Sequence, residues 1–92
     1  MDNARGISCL ADTFDLMVSD DYKNRFKAEW IQTKMRYEKL KDFCNRIEAA
    51  EMTGKNIPVH DCPLNLLRDQ QYAMGQYLHA LEIRGIIEGI EL

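Results

Sequence analysis

An unbroken amphipathic stretch at residues 20–51 is the feature that most constrains how this chain can fold. It contains neither Pro nor Gly, and its apolar or semi-apolar residues recur at alternating steps of four and three. This spacing keeps them on one face of a helix with about 3.6 residues per turn. The stripe consists of Phe26, Trp30, Thr33, Tyr37, Leu40, Cys44 and Ile47. A helix over 20–52 is roughly 45 Å long, and it needs a partner along this stripe because isolated helices are marginal in water.

The sequence after this stretch predicts that partner. Gly54 is suited to the left-handed conformation that ends many helices, and a loop then leads to a second apolar pattern at 63–88. We expect Asp61 or Cys62 to cap this second helix and Pro63 to take its first position, where the missing N–H costs nothing. Two long helices joined by a short loop pack antiparallel as a hairpin.

Residues 1–18 predict a third, shorter helix. Apolar residues recur at helical steps from Ile7 to Val18, which indicates an amphipathic helix over 8–18. Its apolar face is too small to fold alone, so we expect it to pack on the long helix or on a neighbouring subunit. A membrane-surface helix is the alternative, although its acidic polar face would repel anionic lipid. The expected fold is therefore a single all-α domain over 1–92, with a short N-terminal helix and an antiparallel pair of long helices.

The chain carries more apolar side chains than one helical hairpin can cover. Those without an evident partner are Met35, Phe43, Leu66, Tyr77, Ile83, Ile86, Ile87, Ile90 and Leu92. Soluble monomers rarely expose an apolar patch of that size. We therefore expect a homo-oligomeric helical bundle.

Positive charge is concentrated on the first long helix. The whole chain has a formal net charge of −3, which gives no reason to expect long nucleic acid or an anionic membrane as a partner. Between Lys23 and Arg46, however, eight basic and three acidic residues give a net charge of +5. Two interpretations are about equally favoured: a solvated helix face with paired charges, or a local site for a small anionic partner.

Residues that carry catalytic or metal chemistry are sparse. Cys9, Cys44 and Cys62 have no zinc-ligand spacing with His60 or His79, and the acidic residues form no compact metal cluster. Cys62 and His60 lie too close in a turn to favour a nucleophile and its base. We expect no enzyme activity, no metal and no cofactor. The absence of a secretory signal and of a long apolar run favours the cytoplasm.

Aromatic and basic side chains supply the binding chemistry that remains. An aromatic ring offers a stacking face for a base, whereas Lys and Arg neutralise phosphate. The candidate ligand-binding residues are Tyr22, Arg25, Lys34, Tyr37, Lys39 and Arg68. Tyr22, at the exposed start of the long helix, is the best stacking candidate. Tyr37 lies on the apolar stripe, where a core role is favoured about three to one.

Two segments carry a recurring arrangement of residues. The first reads Tyr-x-x-Arg-apolar-x-x-Glu and later Lys-Leu-x-x-Phe, matched by Tyr22, Arg25, Phe26, Glu29, Lys39, Leu40 and Phe43. The second reads Leu-Leu-x-x-Gln-x-x-x-Met-x-x-Tyr-x-x-x-Leu-x-x-Arg, matched by Leu66, Leu67, Gln70, Met74, Tyr77, Leu81 and Arg84. These segments resemble a family of small helical proteins from crAss-like phages and prophages, the group that includes the phage anti-CBASS sponge.

That resemblance implies a hexamer of helical hairpins that sequesters cyclic di- or trinucleotide immune signals without cleaving them. It matches Tyr22 to a tyrosine that stacks on a base and brings Arg68 near an arginine that contacts a cyclic trinucleotide. The family's phosphate-binding lysine aligns with Tyr37, a departure for which Lys34 or Lys39 would have to substitute. We therefore expect a phage counter-defence protein in the host cytoplasm. The alternative is a small oligomeric protein-interaction module that inhibits a host protein.

Overall fold

The chain folds into two long antiparallel helices with a short N-terminal segment on the side of the first. The computed structural model describes residues 10–92 and contains a 3-10 turn at Leu10–Thr13, α1 at Phe14–Met17, α2 at Tyr22–Thr53 and α3 at Leu64–Glu88. No strand occurs among these described residues. The predicted all-α fold is confirmed. The homo-oligomer stays a prediction, because the structure contains a single chain.

Local hydrogen bonds explain where α2 begins and ends. The Asp21 carboxylate accepts a hydrogen bond from the Lys23 backbone N–H at 2.9 Å, which caps the first turn. At the other end, Gly54 adopts a left-handed φ of 69°, and its N–H donates to the Ala50 carbonyl. Gly54 therefore has the role that the sequence indicates. The helix expected over 20–52 is observed at Tyr22–Thr53.

The start of α3 differs from the expected one by a single residue. Pro63 is the N-cap, with an extended backbone (φ −65°, ψ 148°), and the helix begins at Leu64. No side chain caps it, so the expected cap by Asp61 or Cys62 is wrong. The physical reason is that Pro63 itself occupies the N-cap position, because its carbonyl accepts the first helical hydrogen bond, from the Leu67 N–H at 3.2 Å. Asp61 and Cys62 therefore lie before the cap position.

The chain reverses direction after α3 and covers the end of the hairpin. Gly89 adopts a left-handed φ of 71°, and the Ile90 N–H donates to the Gly85 carbonyl at 2.8 Å. This is the Schellman arrangement, which turns the chain back over the last helical turn. It buries Ile90 in a cluster with Phe26 and Leu81. The expectation that Ile90 is surplus to the hairpin is therefore wrong.

The two long helices bury the stripe that the sequence predicts. The most buried apolar side chains of the facing stripes are Phe26, Cys44 and Ile47 on α2 and Leu78 and Leu81 on α3. Trp30 is half-buried against the cluster of Phe26 and Leu81, and its indole N–H donates to a Glu82 carboxylate oxygen at 3.1 Å. Each large side chain fully buried in this way contributes about 1.5–3 kcal/mol.

The N-terminal segment packs on α2 within the same chain. The Thr13 hydroxyl is fully buried, donates to the Leu10 carbonyl at 2.6 Å and accepts from the Gln32 amide at 2.8 Å. Instead of one helix over 8–18, the described part consists of a 3-10 turn followed by α1. The Thr13 hydroxyl bond to the Leu10 carbonyl lies within this turn, at the point where the 3-10 segment passes into α1. The rest of that prediction, residues 1–9, lies outside the described residues.

Most of the surplus apolar side chains are exposed on α3. Met35 and Phe43 on α2 are half-buried, whereas Ile86 on α3 and Leu92 beyond it are exposed. Four further exposed residues, named here the α3 apolar face, are Leu66, Tyr77, Ile83 and Ile87. Ile87 keeps 77% of its surface exposed. These four side chains are exposed in the single chain.

Candidate ligand-binding site

Tyr22 joins the first turn of α2 to the last turn of α3. Its hydroxyl donates to Oε1 of Glu88 at 2.7 Å and accepts a hydrogen bond from the Arg84 guanidinium. The Arg84 Nε donates to the other Glu88 oxygen at 3.0 Å. These contacts close a ring of three polar side chains at the end of the hairpin opposite the loop, called here the open end.

An aromatic ring lies beneath this polar ring. The Arg84 guanidinium stacks on Phe26 with 4.8 Å between its central carbon and the ring centroid. Tyr22 meets the same ring edge-on, with 6.1 Å between centroids and 65° between planes. Tyr22, Phe26, Arg84 and Glu88 are named the tyrosine cluster. Phe26 is buried, whereas Tyr22 keeps 45% of its surface exposed and can accept a stacking partner.

The hydrogen bonds of the tyrosine cluster fix its ionisation. The hydrogen bond to Glu88 raises the pKa of Tyr22 above its ordinary value. Hydrogen bonds from Tyr22 and then Arg84 lower the pKa of Glu88, and the bond to Glu88 raises the pKa of Arg84. At neutral pH the cluster therefore contains a neutral phenol, a carboxylate and a guanidinium, with no net charge.

Arg25 lies one turn further along α2, in a groove of about 220 Å³ beside the N-terminal segment. Its Nη1 donates to the Ser19 carbonyl at 2.8 Å. The groove, named the arm groove, is lined by Met17, Arg25, Ala28, Glu29, Gln32, Thr33 and Arg36. Two guanidinium groups against one carboxylate make this surface locally positive, which suits an anion.

Lys34 and Tyr37 lie together near the middle of the hairpin. Lys34 is 4.0 Å from a Glu38 oxygen and 5.8 Å from the Trp30 ring centroid. Tyr37 is half-buried against α3, where a Cβ added to Gly75 would be 3.3 Å from its ring. Lys34 and Tyr37 line one surface depression of about 200 Å³. This packing is what the core interpretation of Tyr37 expects.

Lys39 and Arg68 lie apart from these residues. Five residues on a helix separate Lys39 from Lys34 by roughly 140° around the axis, so the two project from different flanks of α2. Arg68 lies near the loop end, where it donates to Glu48 at 2.5 Å, Asn45 at 3.1 Å and Gln71 at 2.7 Å. Its guanidinium is thereby used to join α3 to α2.

The six predicted residues therefore do not converge in one chain. Tyr22 and Arg25 share the open end of the hairpin, whereas Arg68 contacts α2 at Glu48. The 26 residues from Tyr22 to Glu48 correspond to roughly 39 Å along a helix. Sequence reasoning did not assign Arg84 and Glu88 to the site. Their i,i+4 spacing is a detectable sign of pairing, but nothing local in the sequence connects them to Tyr22.

The remaining candidates of the sequence are groups of His, Cys and acidic side chains. Within residues 10–92, no three His, Cys, Asp or Glu side chains converge as metal ligands. The His60 ring nitrogen meets the Cys62 backbone carbonyl at 2.7 Å rather than its thiol. In the same residues, none of the helices has the length and apolar character needed to cross a bilayer.

Comparison with family models gives a match. A family model described as Sequestin matches residues 20–85, which include all of α2, the loop and most of α3. The match therefore covers the hairpin together with Tyr22 and Arg84, but ends before Glu88. No curated protein and no solved structure matches the chain.

Proposed function

The chain belongs to the Sequestin family, and we propose that it is a phage counter-defence protein that sequesters cyclic di- or trinucleotide immune signals in the host cytoplasm without cleaving them. The observation that carries this proposal is the tyrosine cluster, in which a half-exposed aromatic ring lies beside a guanidinium. An aromatic face and a nearby cation are what a base and its phosphate require. The family's name supports sequestration, and the resemblance to the anti-CBASS sponge supports this class of ligand.

Recognition begins with a base stacked on the exposed face of Tyr22. Arg25 is the nearest of the other predicted residues, one turn away in the arm groove. Only one of its nitrogens donates to Ser19, so other donors of its guanidinium can reach a phosphate. Lys34 and Lys39 project from different flanks, so one of them would act on a ligand held by a neighbouring subunit.

A homo-oligomer, hexameric by the resemblance, completes this site. One hairpin is too thin to enclose a ligand of this size, because small-molecule sites usually bury most of the ligand surface. The α3 apolar face supplies the area on which a second copy can pack. Assembly through this face places several copies of Tyr22 in one particle, and it covers side chains that a monomer leaves in water.

Arg68 belongs to a second, weaker part of the proposal. A cyclic trinucleotide bound near the loop end would have to draw the Arg68 guanidinium away from Glu48 and Asn45. A phosphate is a suitable competitor, because it accepts the same forked hydrogen bonds as a carboxylate. We expect Arg68 to affect cyclic trinucleotides only.

Calorimetric titration of matched tyrosine variants tests the proposal. Cyclic di-AMP, cyclic di-GMP, cyclic GMP–AMP and cyclic tri-AMP are titrated into the parent, Tyr22→Ala and Tyr72→Ala. Tyr72 is the control, since it is a 70% exposed tyrosine on α3 whose described hydrogen bond is local, from Gln76. Loss of one stacking ring should weaken binding about tenfold or more, so Tyr22→Ala should do this and Tyr72→Ala should not.

The recovered ligand separates sequestration from turnover. Chromatography of the mixture after incubation should return the cyclic nucleotide intact. If the parent binds none of the four nucleotides, or if Tyr22→Ala binds each of them as tightly as the parent, the proposal is refuted.

The second candidate function is a protein-interaction module that inhibits a host protein. The α3 apolar face favours it, since a surface of this kind is typical of protein interfaces. Nucleotide titration discriminates between the two functions, because only the sponge requires a nucleotide ligand. No binding would favour the interaction module, whereas a mass near 10.7 kDa in light scattering would contradict the homo-oligomer that both functions expect.

A further inference from the structure

The Arg84 guanidinium is held at the protein surface by groups of the tyrosine cluster. Nε donates to Glu88, another nitrogen donates to the Tyr22 hydroxyl, and the central carbon of the group lies over the Phe26 ring. The Arg84 side chain is nevertheless 49% exposed. It is therefore a fixed cation that a ligand in solution can approach.

Glu88 holds two oxygens where an anionic ligand would place its own. One oxygen accepts from the Tyr22 hydroxyl at 2.7 Å and the other from the Arg84 Nε at 3.0 Å. A phosphodiester also carries two unesterified oxygens on one atom, so it can accept the same pair of hydrogen bonds. The carboxylate thus occupies an anion position beside the ring proposed to stack on a base.

We propose that Arg84 binds a phosphate of the ligand at the tyrosine cluster and that Glu88 is an internal anion which this phosphate displaces. This inference rests on the proposed function. It names a phosphate-binding group of the site. The resemblance expects a lysine for this role at the position of Tyr37, and a tyrosine carries no positive charge.

The position of Glu88 makes its displacement inexpensive. Glu88 is the last residue of α3. Its side chain is 33% exposed, so it can rotate into water without leaving an unpaired carboxylate in the protein interior. Arg84 keeps its place on Phe26 during this exchange, because the stacking contact does not involve Glu88.

A purely structural role for the same contacts makes the opposite prediction. If Tyr22, Arg84 and Glu88 only tie α2 to α3, removing the carboxylate loosens the end of the hairpin. Binding then weakens or stays the same. If Glu88 competes with the ligand, removing its charge frees Arg84 and binding tightens.

The experiment compares two glutamates at the same end of the chain. Glu88→Gln removes the competing charge, whereas Glu91→Gln removes an equal charge from an exposed residue after α3. The parent, both variants and Arg84→Gln are titrated with the same four cyclic nucleotides. We expect Glu88→Gln to bind about three- to tenfold tighter than the parent, Glu91→Gln to change affinity less than twofold, and Arg84→Gln to bind at least tenfold weaker.

A double variant and a folding check complete the test. In the Arg84→Gln background, Glu88→Gln should bring no gain, because the cation that it frees is gone. Circular dichroism establishes that each variant is helical. If Arg84→Gln unfolds, Arg84→Lys replaces it, which keeps the charge but loses the forked donors and should bind several-fold weaker than the parent.

Each result decides a separate point. If the parent binds a nucleotide but Glu88→Gln binds no tighter than Glu91→Gln, displacement is refuted while sequestration stands. If the parent binds and the folded Arg84 variant binds equally well, Arg84 is not the phosphate ligand. If the parent binds none of the four, the proposed function is refuted and this inference with it.

Discussion

Replacing Gly85 with alanine tests whether the returning C-terminal segment stabilises the open end of the hairpin. A Cβ at Gly85 would lie 2.9 Å from Cδ1 of Leu92 and 3.2 Å from the Ile90 carbonyl oxygen. The first contact is relieved by a rotamer change, whereas the second involves backbone. The segment after Gly89 would therefore have to move away from α3, together with the buried Ile90 side chain.

The magnitude follows from two opposing effects. Gly to Ala in a helix interior is favourable by about 1 kcal/mol. Exposing a buried Ile costs about 1.5–3 kcal/mol, and Ile90 is only 5% exposed. The lost Ile90–Gly85 backbone hydrogen bond adds about 1 kcal/mol. Gly85→Ala should therefore lower the free energy of unfolding by at most about 1.5–3 kcal/mol, the value for complete detachment of the segment.

Gly75→Ala is the matched control, because Gly75 lies in the same helix but faces only a side chain. Its added Cβ would lie 3.3 Å from a Tyr37 ring carbon, and the ring can move by a few tenths of an ångström. Helix propensity should then dominate and leave the protein unchanged or up to about 1 kcal/mol more stable. Urea unfolding at two protein concentrations measures both variants. A Gly85→Ala protein as stable as the parent would refute the account of the C-terminal segment.

Four further predictions concern charge and assembly. Glu88→Gln should let Tyr22 ionise at lower pH in an ultraviolet titration, because the hydrogen bond to Glu88 is what raises the Tyr22 pKa. The pKa of folded Glu88 is lowered, so its contribution to stability is present above the ordinary glutamate pKa and is lost as pH falls through the folded pKa. Glu88→Gln should therefore reduce the loss of stability at low pH. An unchanged loss would contradict the cause assigned to the pKa shift. Arg68→Ala should lower the free energy of unfolding in urea by about 1 kcal/mol through the lost contacts to α2, while cyclic dinucleotides bind normally. A selective loss of dinucleotide binding would show that the dinucleotide site lies near Arg68 and not at the tyrosine cluster. Ile87→Glu, on the α3 apolar face, should reduce the mass in light scattering while keeping the helical circular dichroism, whereas an unchanged assembly would exclude Ile87 from the interface.

The sequence predicts the hairpin well because its signals are local. The apolar spacing of residues 20–51 and the left-handed Gly54 each depend on neighbours within a few turns. The burial of Ile90, in contrast, depends on residues far away in the sequence. Its burial depends on the chain reversing at Gly89 and meeting Phe26, and a periodic pattern along one helix contains no information about that return.

The candidate site is predictable only in part, for the same reason. Tyr22 stands out as an aromatic residue at the start of a basic helix, and the structure places it at an exposed end. Its polar partners are 62 and 66 residues away in sequence, at Arg84 and Glu88. Composition favours the basic residues of α2 as phosphate ligands, because they are numerous. It contains no information about which basic residue the fold brings beside Tyr22.

The way in which Arg84 is positioned separates it from the other basic residues. Lys39 is exposed on α2, and a flexible side chain of this kind must lose rotamer entropy when it binds a ligand. Arg84 has already lost that freedom, because its guanidinium rests on Phe26 and Phe26 is fixed in turn by Leu81 and Ile90. The hydrophobic core of the open end thus orients the cation before any ligand arrives. A phosphate has only to replace Glu88, one anion for another, and we therefore place one phosphate of the ligand at Arg84, in addition to any that Arg25 binds.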